Sequence, residues 1–371
     1  MRLSDRLKHI INLDYRCQVS IGAACETKTN ETEDDAMRYA LSTLAGAAAL
    51  AISLIAGPAM AEDDGIIVYN AQHENLTKAW AEGFTKETGI KVTVRNGGDS
   101  DFSNQIVAEG SSSPADVFLT ENSPAMVLVE SAGLFAPVDA DTLAQVPQDY
   151  QPASGKWVGI AARSTVFAYN KTKLNADQLP KTLLDLADPS WKGRWAASPS
   201  GADFQAIVSA LLQLKGEAAT ADWLKAMKTN FTAYKGNSTV MKAVNAGEIE
   251  GGVIYHYYYF GDQAKTGENS KNVELHYFKN QDPGAFVSIS GGGVLASSKH
   301  PKEAQAFLKW VTGKGGQEIL KTGDSFEYAV GKGAESNPKL VPLADLQAPK
   351  VDATTLNSKK VTDLMTAAGL L

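Results

Sequence analysis

Cysteine is almost missing from this chain of 371 residues: Cys17 and Cys25 are the two it has, and both fall within the first 36 positions. From Glu62 onward there is none, which excludes a disulfide, a thiolate metal site and a cysteine nucleophile from the body of the protein. Blocks of Lys and Arg are also missing. With a formal net charge of −7, nothing favours nucleic acid or an anionic membrane surface. Neither G-x-S-x-G nor H-E-x-x-H occurs, so the serine-hydrolase and zincin signatures are absent and the chain is not expected to be an enzyme. There is no internal repeat and no low-complexity tract. The composition is otherwise ordinary, with 44% hydrophobic and 21% charged residues, and the length suits two lobes better than one core.

The apolar run at 40–55 stands near the start of the chain. It follows Met37-Arg38-Tyr39 and precedes Ala59-Met60-Ala61. A basic start, an apolar segment and an A-x-A site make a secretory signal, whereas the run is too short and too alanine-rich for an anchor. The expectation is export to the periplasm with cleavage after Ala61. Residues 1–36 precede a complete signal and are expected to be non-native or disordered, with Met37 as the true start.

The remainder alternates. Strand-like runs at 65–70, 90–94 and 115–119 are separated by helical patterns near 76–84, 101–110 and 123–133, which predicts a doubly wound lobe. Residues 157–170 hold two strand-like pieces joined around Ala162-Arg163. Helices are expected at 204–214, 222–228 and 238–245, then a short strand at 252–254. A strand at 285–290 leads back to the first lobe, followed by helices at 301–312 and 317–321. The expected class is α/β, a two-lobed periplasmic binding fold of type II, each lobe a mainly parallel sheet flanked by helices. Residues 62–162 with 287–338 would form the N-terminal lobe, and 163–286 with 339–371 the C-terminal lobe. The ligand cleft would lie between them.

Tyrosine is thinly spread except at Tyr255-His256-Tyr257-Tyr258-Tyr259. Buried phenols need partners, so the run is a candidate site rather than plain core. Adjacent residues on a strand point apart, so Tyr257 and Tyr258 converge only if they open a helix or loop. His73 and Glu121 follow strands of the first lobe and face the same cleft. One imidazole, one carboxylate and two phenols suit a strongly polarising cation, because phenol ordinarily keeps its proton to a pKa near 10. Fe(3+) fits: two phenolates and a carboxylate balance its charge, where zinc would recruit cysteine or more histidine and calcium more carboxylates. Ser200, Gly201 and Ala202 precede a helix and, with Asn237, could hold an anion such as phosphate or carbonate. Arg163 could pair with that anion. Taken singly these residues are bland: a loop histidine, a helix-start carboxylate, a turn, a salt-bridge arginine, an aromatic platform.

The segments IVYNAQHENL, PADVFLTEN, SPSGA, YKGNST, YYYF and NQDPGAFVS resemble the periplasmic ferric-ion-binding proteins, the solute receptors of bacterial ABC iron importers. The likeness runs in the same order over nearly all of residues 65–371. It implies iron ligands at His73, Glu121, Tyr257 and Tyr258, a synergistic anion at Ser200, Gly201, Ala202 and Asn237, and closure of the lobes over the iron. It also implies a monomer that delivers its cargo to an inner-membrane ABC permease and its ATPase. Family members often carry two asparagines where this chain has Tyr255 and His256, and glutamine where it has Asn122. Tyr255, His256 and Tyr259 therefore receive no role at this point. The competing readings are an ABC receptor for a phosphorylated organic anion, such as a sugar phosphate or phosphonate, and more remotely a secreted hydrolase.

Overall fold

Apolar runs and helical periodicity turn into nine strands and ten α-helices over residues 65–371, the part of the chain that the computed structural model describes. The expected signal at 37–61, the extension at 1–36 and both cysteines lie outside the described residues. The order begins β1 (Ile66–Asn70), α1 (Glu74–Thr88), β2 (Val92–Asn96), α2 (Asp99–Glu109), β3 (Val117–Leu119), α3 (Ser123–Ser131), α4 (Ala140–Leu143) and β4 (Val158–Asn170). It continues through β5 (Trp195–Ala197), α5 (Ala202–Asn230), β6 (Phe231–Ala233), α6 (Asn237–Ala246), β7 (Gly251–Tyr255), α7 (Tyr257–Lys265) and β8 (Val273–His276). The return leg is β9 (Val287–Val294), α8 (Pro301–Thr312), α9 (Lys314–Thr322) and α10 (Ser358–Ala367). Among the described residues no helix is long and apolar enough to cross a membrane.

The strands form one path, β2-β1-β3-β9-β4-β7-β5-β6, with β8 paired to β4. Its two flanks are parallel: β1 with β2 and β3, and β5 with β6 and β7. The middle is antiparallel, because β4 and β9 carry the chain across and back. Residues 157–170 do not break at Ala162-Arg163 as expected. They form one long buried strand that changes partner there, pairing with β9 up to Ser164 and with β7 from Thr165. The irregularity sits earlier, as a register shift between Gly159 and Ala161. The expected helices at 204–214 and 222–228 are both inside α5, which is interrupted at Gly216, where φ is 81° and only glycine is comfortable.

Each flank has its own packing. In the first, α1 lays Leu76, Trp80 and Phe84 on the sheet, and Trp80 Nε1 donates to Gly316 O of α9 at 2.9 Å. In the second, Trp195, Phe204, Trp223 and Phe231 stack within ring-centroid distances of 5.8–6.3 Å. The parallel strands β1 and β3 end on the same side, and the loops beyond their ends begin the site.

The two glycines that lead β7 are a packing requirement. A Cβ at Gly251 would lie 2.1 Å from Cζ of the buried Phe167 on β4. Gly251→Ala is therefore expected to lower stability by about 1–3 kcal/mol, the usual cost of overpacking a filled core. The measurement is a urea midpoint at unchanged slope; an unshifted midpoint would show that the ring has room to move.

Candidate metal centre

The loop after β1 is fixed before His73 is reached. Asn70 Oδ1 accepts from Gln72 N and Thr77 Oγ1 at 3.1 and 2.8 Å, and Asn70 Nδ2 donates to Gln72 O at 2.8 Å. Gln72 Oε1 then accepts from His73 N at 2.7 Å. His73 caps α1, with its Nε2 3.2 Å from Glu121 Oε1 and 3.6 Å from Glu327 Oε1. Burial pulls its pKa down, but the carboxylates of Glu327 and Glu121 outweigh that and leave it raised.

Glu121 stands just past β3. Its backbone is held by Asp99, whose two oxygens accept from Glu121 N at 2.9 Å and Asn122 N at 3.0 Å. Asp99 thus closes the N-terminus of α3 from another helix. Burial and the nearby charge of Glu121 push its carboxyl up to about 8. Glu121 goes the other way: burial opposes ionisation, but the Arg163 guanidinium and His73 hold it down at about 2. Arg163 is fully buried in β4. It reaches Glu121 Oε2 at 3.2 Å and Glu327 Oε1 at 2.8 Å, and it donates to Ser290 Oγ at 2.7 Å. Arg163, expected as an anion partner, is engaged by two carboxylates of its own chain, and its Nε has no hydrogen-bond partner.

Tyr257 and Tyr258 do open a helix, α7, so both rings fall on one side, with centroids 4.4 Å apart. Their hydroxyls converge on a single atom, donating to Asp203 Oδ2 at 3.0 and 3.2 Å. The His73 ring meets Tyr257 edge-on at 4.5 Å. Burial, then the charges of Asp203 and Glu121, push both phenols well above their ordinary value near 10. Asn237 Nδ2, at the start of α6, donates to the same Asp203 Oδ2 at 2.8 Å, and Asn122 Nδ2 donates to Asp203 Oδ1 at 3.0 Å. Burial, reinforced by Glu121 and opposed by Arg163, raises the Asp203 carboxyl to about 6.

Sequence reasoning missed Asp203 and Glu327. Asp203 is the second residue of α5, where an acidic side chain usually just answers the helix dipole. The available signal was its place directly after Ser200-Gly201-Ala202. Those three form the turn into α5, with Gly201 N donating to Ser198 O at 3.0 Å. Glu327 is fully buried in an irregular segment after Phe326, and no local pattern announces it.

The rest of the aromatic run divides by partner. Tyr255 OH donates to Asn122 Oδ1 at 3.3 Å. His256 is buried, accepts from Ser164 N at its Nδ1 at 3.1 Å, and stacks on Tyr328 at 4.8 Å. Tyr259 packs edge-on against Phe260 at 5.4 Å. A cavity of about 570 Å³ opens on His73, Tyr257 and Tyr258, with Ser238, Lys242 and Asp262 among its walls. Among the described residues no three His, Cys, Asp or Glu side chains make a metal cage by themselves.

The family model for bacterial extracellular solute-binding proteins matches residues 70–318. Over 90% of this chain and the whole of the relative, the sequence is 72% identical to the Fe(3+)-binding periplasmic protein of Serratia marcescens. The chain belongs to the bacterial extracellular solute-binding proteins, in their ferric-ion-binding branch. A more distant relative, the major ferric iron-binding protein of Neisseria meningitidis, is 37% identical over 90% of this chain and 98% of its own length. Among solved structures, iron-bound HitA from Pseudomonas aeruginosa superposes with a TM-score of 0.79 at 42% identity, covering 82% of this chain and 99% of that one. The α/β solute-binding architecture expected from the sequence is that of these relatives.

His256 ties this solute-binding protein's stability to pH. Burial pushes its imidazole down to about 3, against an ordinary value of about 6.5. The neutral ring therefore contributes stability that is complete above about pH 6.5 and is lost as the pH falls from there toward 3. In urea melts of the iron-free protein, the stability advantage of wild type over His256→Asn should shrink steadily from about pH 7 to about pH 4. An advantage that stays constant over that interval would remove His256 from the acid response.

Proposed function

We propose that this chain captures ferric ion in the periplasm, as a monomer, and delivers it to an inner-membrane ABC permease and its ATPase. One observation carries the reading: two phenols from the start of α7 meet the Asp203 carboxylate beside the His73–Glu121 pair. His73, Glu121, Tyr257 and Tyr258 supply one nitrogen and three oxygens. Deprotonated, the phenols and Glu121 carry three negative charges, which suits a 3+ ion. Without a cation the phenols stay protonated and hydrogen-bonded to Asp203, so the site waits in a neutralised form.

Asp203 refines the role of the anion. Its carboxylate lies at the N-terminus of α5, with Asn237 donating to it, in the place expected for an exogenous oxyanion. On this reading Asp203 brings an anionic oxygen from within the chain. Phosphate or carbonate then takes only a remaining position, against the turn at Ser200, Gly201 and Ala202. Arg163 acts from behind, holding Glu121 ionised rather than touching the anion.

The two flanks of the sheet would move as lobes about the crossing strands β4 and β9, near residues 162–165 and 286–288, with residues 62–162 and 287–338 on one side and 163–286 and 339–371 on the other. Closure joins His73 and Glu121 to the tyrosines, and opening releases them.

Ferric loading should give a visible tyrosinate-to-iron charge-transfer band. Tyr257→Phe or Tyr258→Phe should each weaken iron binding by at least about 100-fold, roughly 2.7 kcal/mol. Because both phenols are protonated beforehand, loading should release protons in a pH-stat, and affinity should fall as pH is lowered. No visible band, together with unaltered binding in both variants, would end the ferric reading. The anion is tested separately. Wild-type protein should keep its iron in buffer free of phosphate and carbonate, whereas Asp203→Asn should hold iron only when one of them is supplied. Equal anion dependence in both proteins would return the anion to an essential role.

A further inference from the structure

Asn122 stands where an asparagine would ordinarily cap a helix. It directly precedes α3, with an extended backbone at φ −132° and ψ 142°. An N-cap side chain usually accepts from the second or third N–H of the helix that follows. Asn122 makes no such bond. Its amide is buried and is spent on four other segments of the chain.

Nδ2 donates to Asp99 Oδ2 of α2 at 3.1 Å and to Asp203 Oδ1 of α5 at 3.0 Å. Oδ1 accepts from Ser288 Oγ of β9 at 2.9 Å and from Tyr255 OH of β7 at 3.3 Å. A primary amide has two N–H donors and two acceptor positions, so none is left over. The pattern also fixes which way round the amide sits. Turned over, its oxygen would meet Asp203 Oδ1, an acceptor against an acceptor. Asp99 Oδ2 accepts from Asn122 N as well, at 3.0 Å, so one oxygen holds both the backbone and the side chain.

The consequence falls on Asp203, whose two oxygens receive different tasks. Oδ1 is taken by Asn122, while Oδ2 receives Asn237 Nδ2 and the hydroxyls of Tyr257 and Tyr258. A carboxylate fastened by one oxygen keeps the other toward the phenols. The fastening comes from the opposite flank, from the residue directly after Glu121. Positions 122 and 255, where this chain carries asparagine and tyrosine and family members often carry glutamine and asparagine, are in contact here. We infer that Asn122 is a positioning residue for ferric capture: it acts through Asp203, keeping one carboxylate oxygen aimed at the iron position, and Tyr255 and Ser288 hold it in place. The inference rests on the ferric reading in which Asp203 supplies an anionic oxygen from within the chain. A capping role would be served by any good N-cap residue. A positioning role needs an amide that reaches Asp203.

The test is the iron affinity of the exported chain, measured by competition with EDTA while the visible band is followed. In buffer free of phosphate and carbonate, Asn122→Ala should bind ferric ion at least about tenfold more weakly than wild type, near 1.4 kcal/mol. Asn122→Ser restores a good helix cap but is too short to reach Asp203, so it should lose as much. With phosphate supplied, so that Asp203→Asn also holds iron, adding Asn122→Ala to that variant should cost less than about twofold. A residue that acts through Asp203 has nothing left to act on there. The band should persist in every variant at saturating iron, because both phenols remain, and this separates lost positioning from a lost fold. Wild-type affinity in Asn122→Ser, a further tenfold loss in the double variant, or a missing band in Asn122→Ala would each overturn the inference. A wild-type band with undiminished affinity in Asn122→Ala ends this inference and leaves the ferric reading standing. No band in the wild type ends the ferric reading itself.

Discussion

A guanidinium buried in the middle of a β-strand is the constraint on which the site depends. Arg163 is sealed from solvent at the point where β4 changes partner, and it must be answered there or it would unfold the strand. Glu327 and Glu121 answer it, one from the return leg of the chain and one from the end of β3. Neither carboxylate is supplied by a neighbour in sequence. The pairing therefore makes three distant segments arrive together, and it keeps Glu121 ionised in a place where burial alone would protonate it. His73 follows, because the same two carboxylates face its Nε2. The nitrogen and the first oxygen of the proposed ligand set are thus held by the electrostatics of one arginine.

The second constraint is the opposite kind of charge. Asp203 is a buried carboxylate with no cation in contact, satisfied instead by two phenols and two amides. Such a group is tolerable while the phenols are neutral. On the proposed ligand set it would become more favourable still when a trivalent ion replaces their protons. Arg163 and Asp203 therefore divide the work. One side of the site is pre-ionised, and the other holds the phenol protons that, on the proposed ligand set, leave when cargo enters.

Much of the fold was legible in the sequence, because it rests on local signals. Buried strands show as short apolar runs, α8 begins at Pro301 as its first-turn proline requires, and the glycine at 216 separates two helical pieces. Errors came where a strand's length is set by its neighbours. Residues 157–170 looked like two pieces because Ala162-Arg163-Ser164 is not an apolar run, yet the charge is buried by tertiary partners and the strand continues. The tyrosine pair was legible for a geometric reason, since adjacent side chains converge only where a helix or loop begins, and here it is a helix. Asp203, Asp99 and Glu327 were not legible. Each has an ordinary local explanation, as helix-start acid or loop acid, and each acquires its role from residues 22 to 255 positions away.

The aromatic run from Tyr255 to Tyr258 looks like one cluster in the sequence and behaves as three attachments in space. Tyr255 reaches Asn122 and so the loop that carries Glu121. His256 accepts from Ser164 and exchanges a backbone hydrogen bond with it, which ties the run to the crossing strand. Tyr257 and Tyr258 reach α5 through Asp203. In the proposed lobe motion β4 bends close to Ser164, and the residue that grips Ser164 is next to Tyr257. The first proposed phenol ligand and that bending point are therefore linked through one residue, His256. A cation that draws the phenols toward Glu121 pulls on the strand about which the flanks would turn, and bending that strand moves the phenols. On the proposed site and hinge, the same physical link would make capture and closure one event, with no relay needed between them.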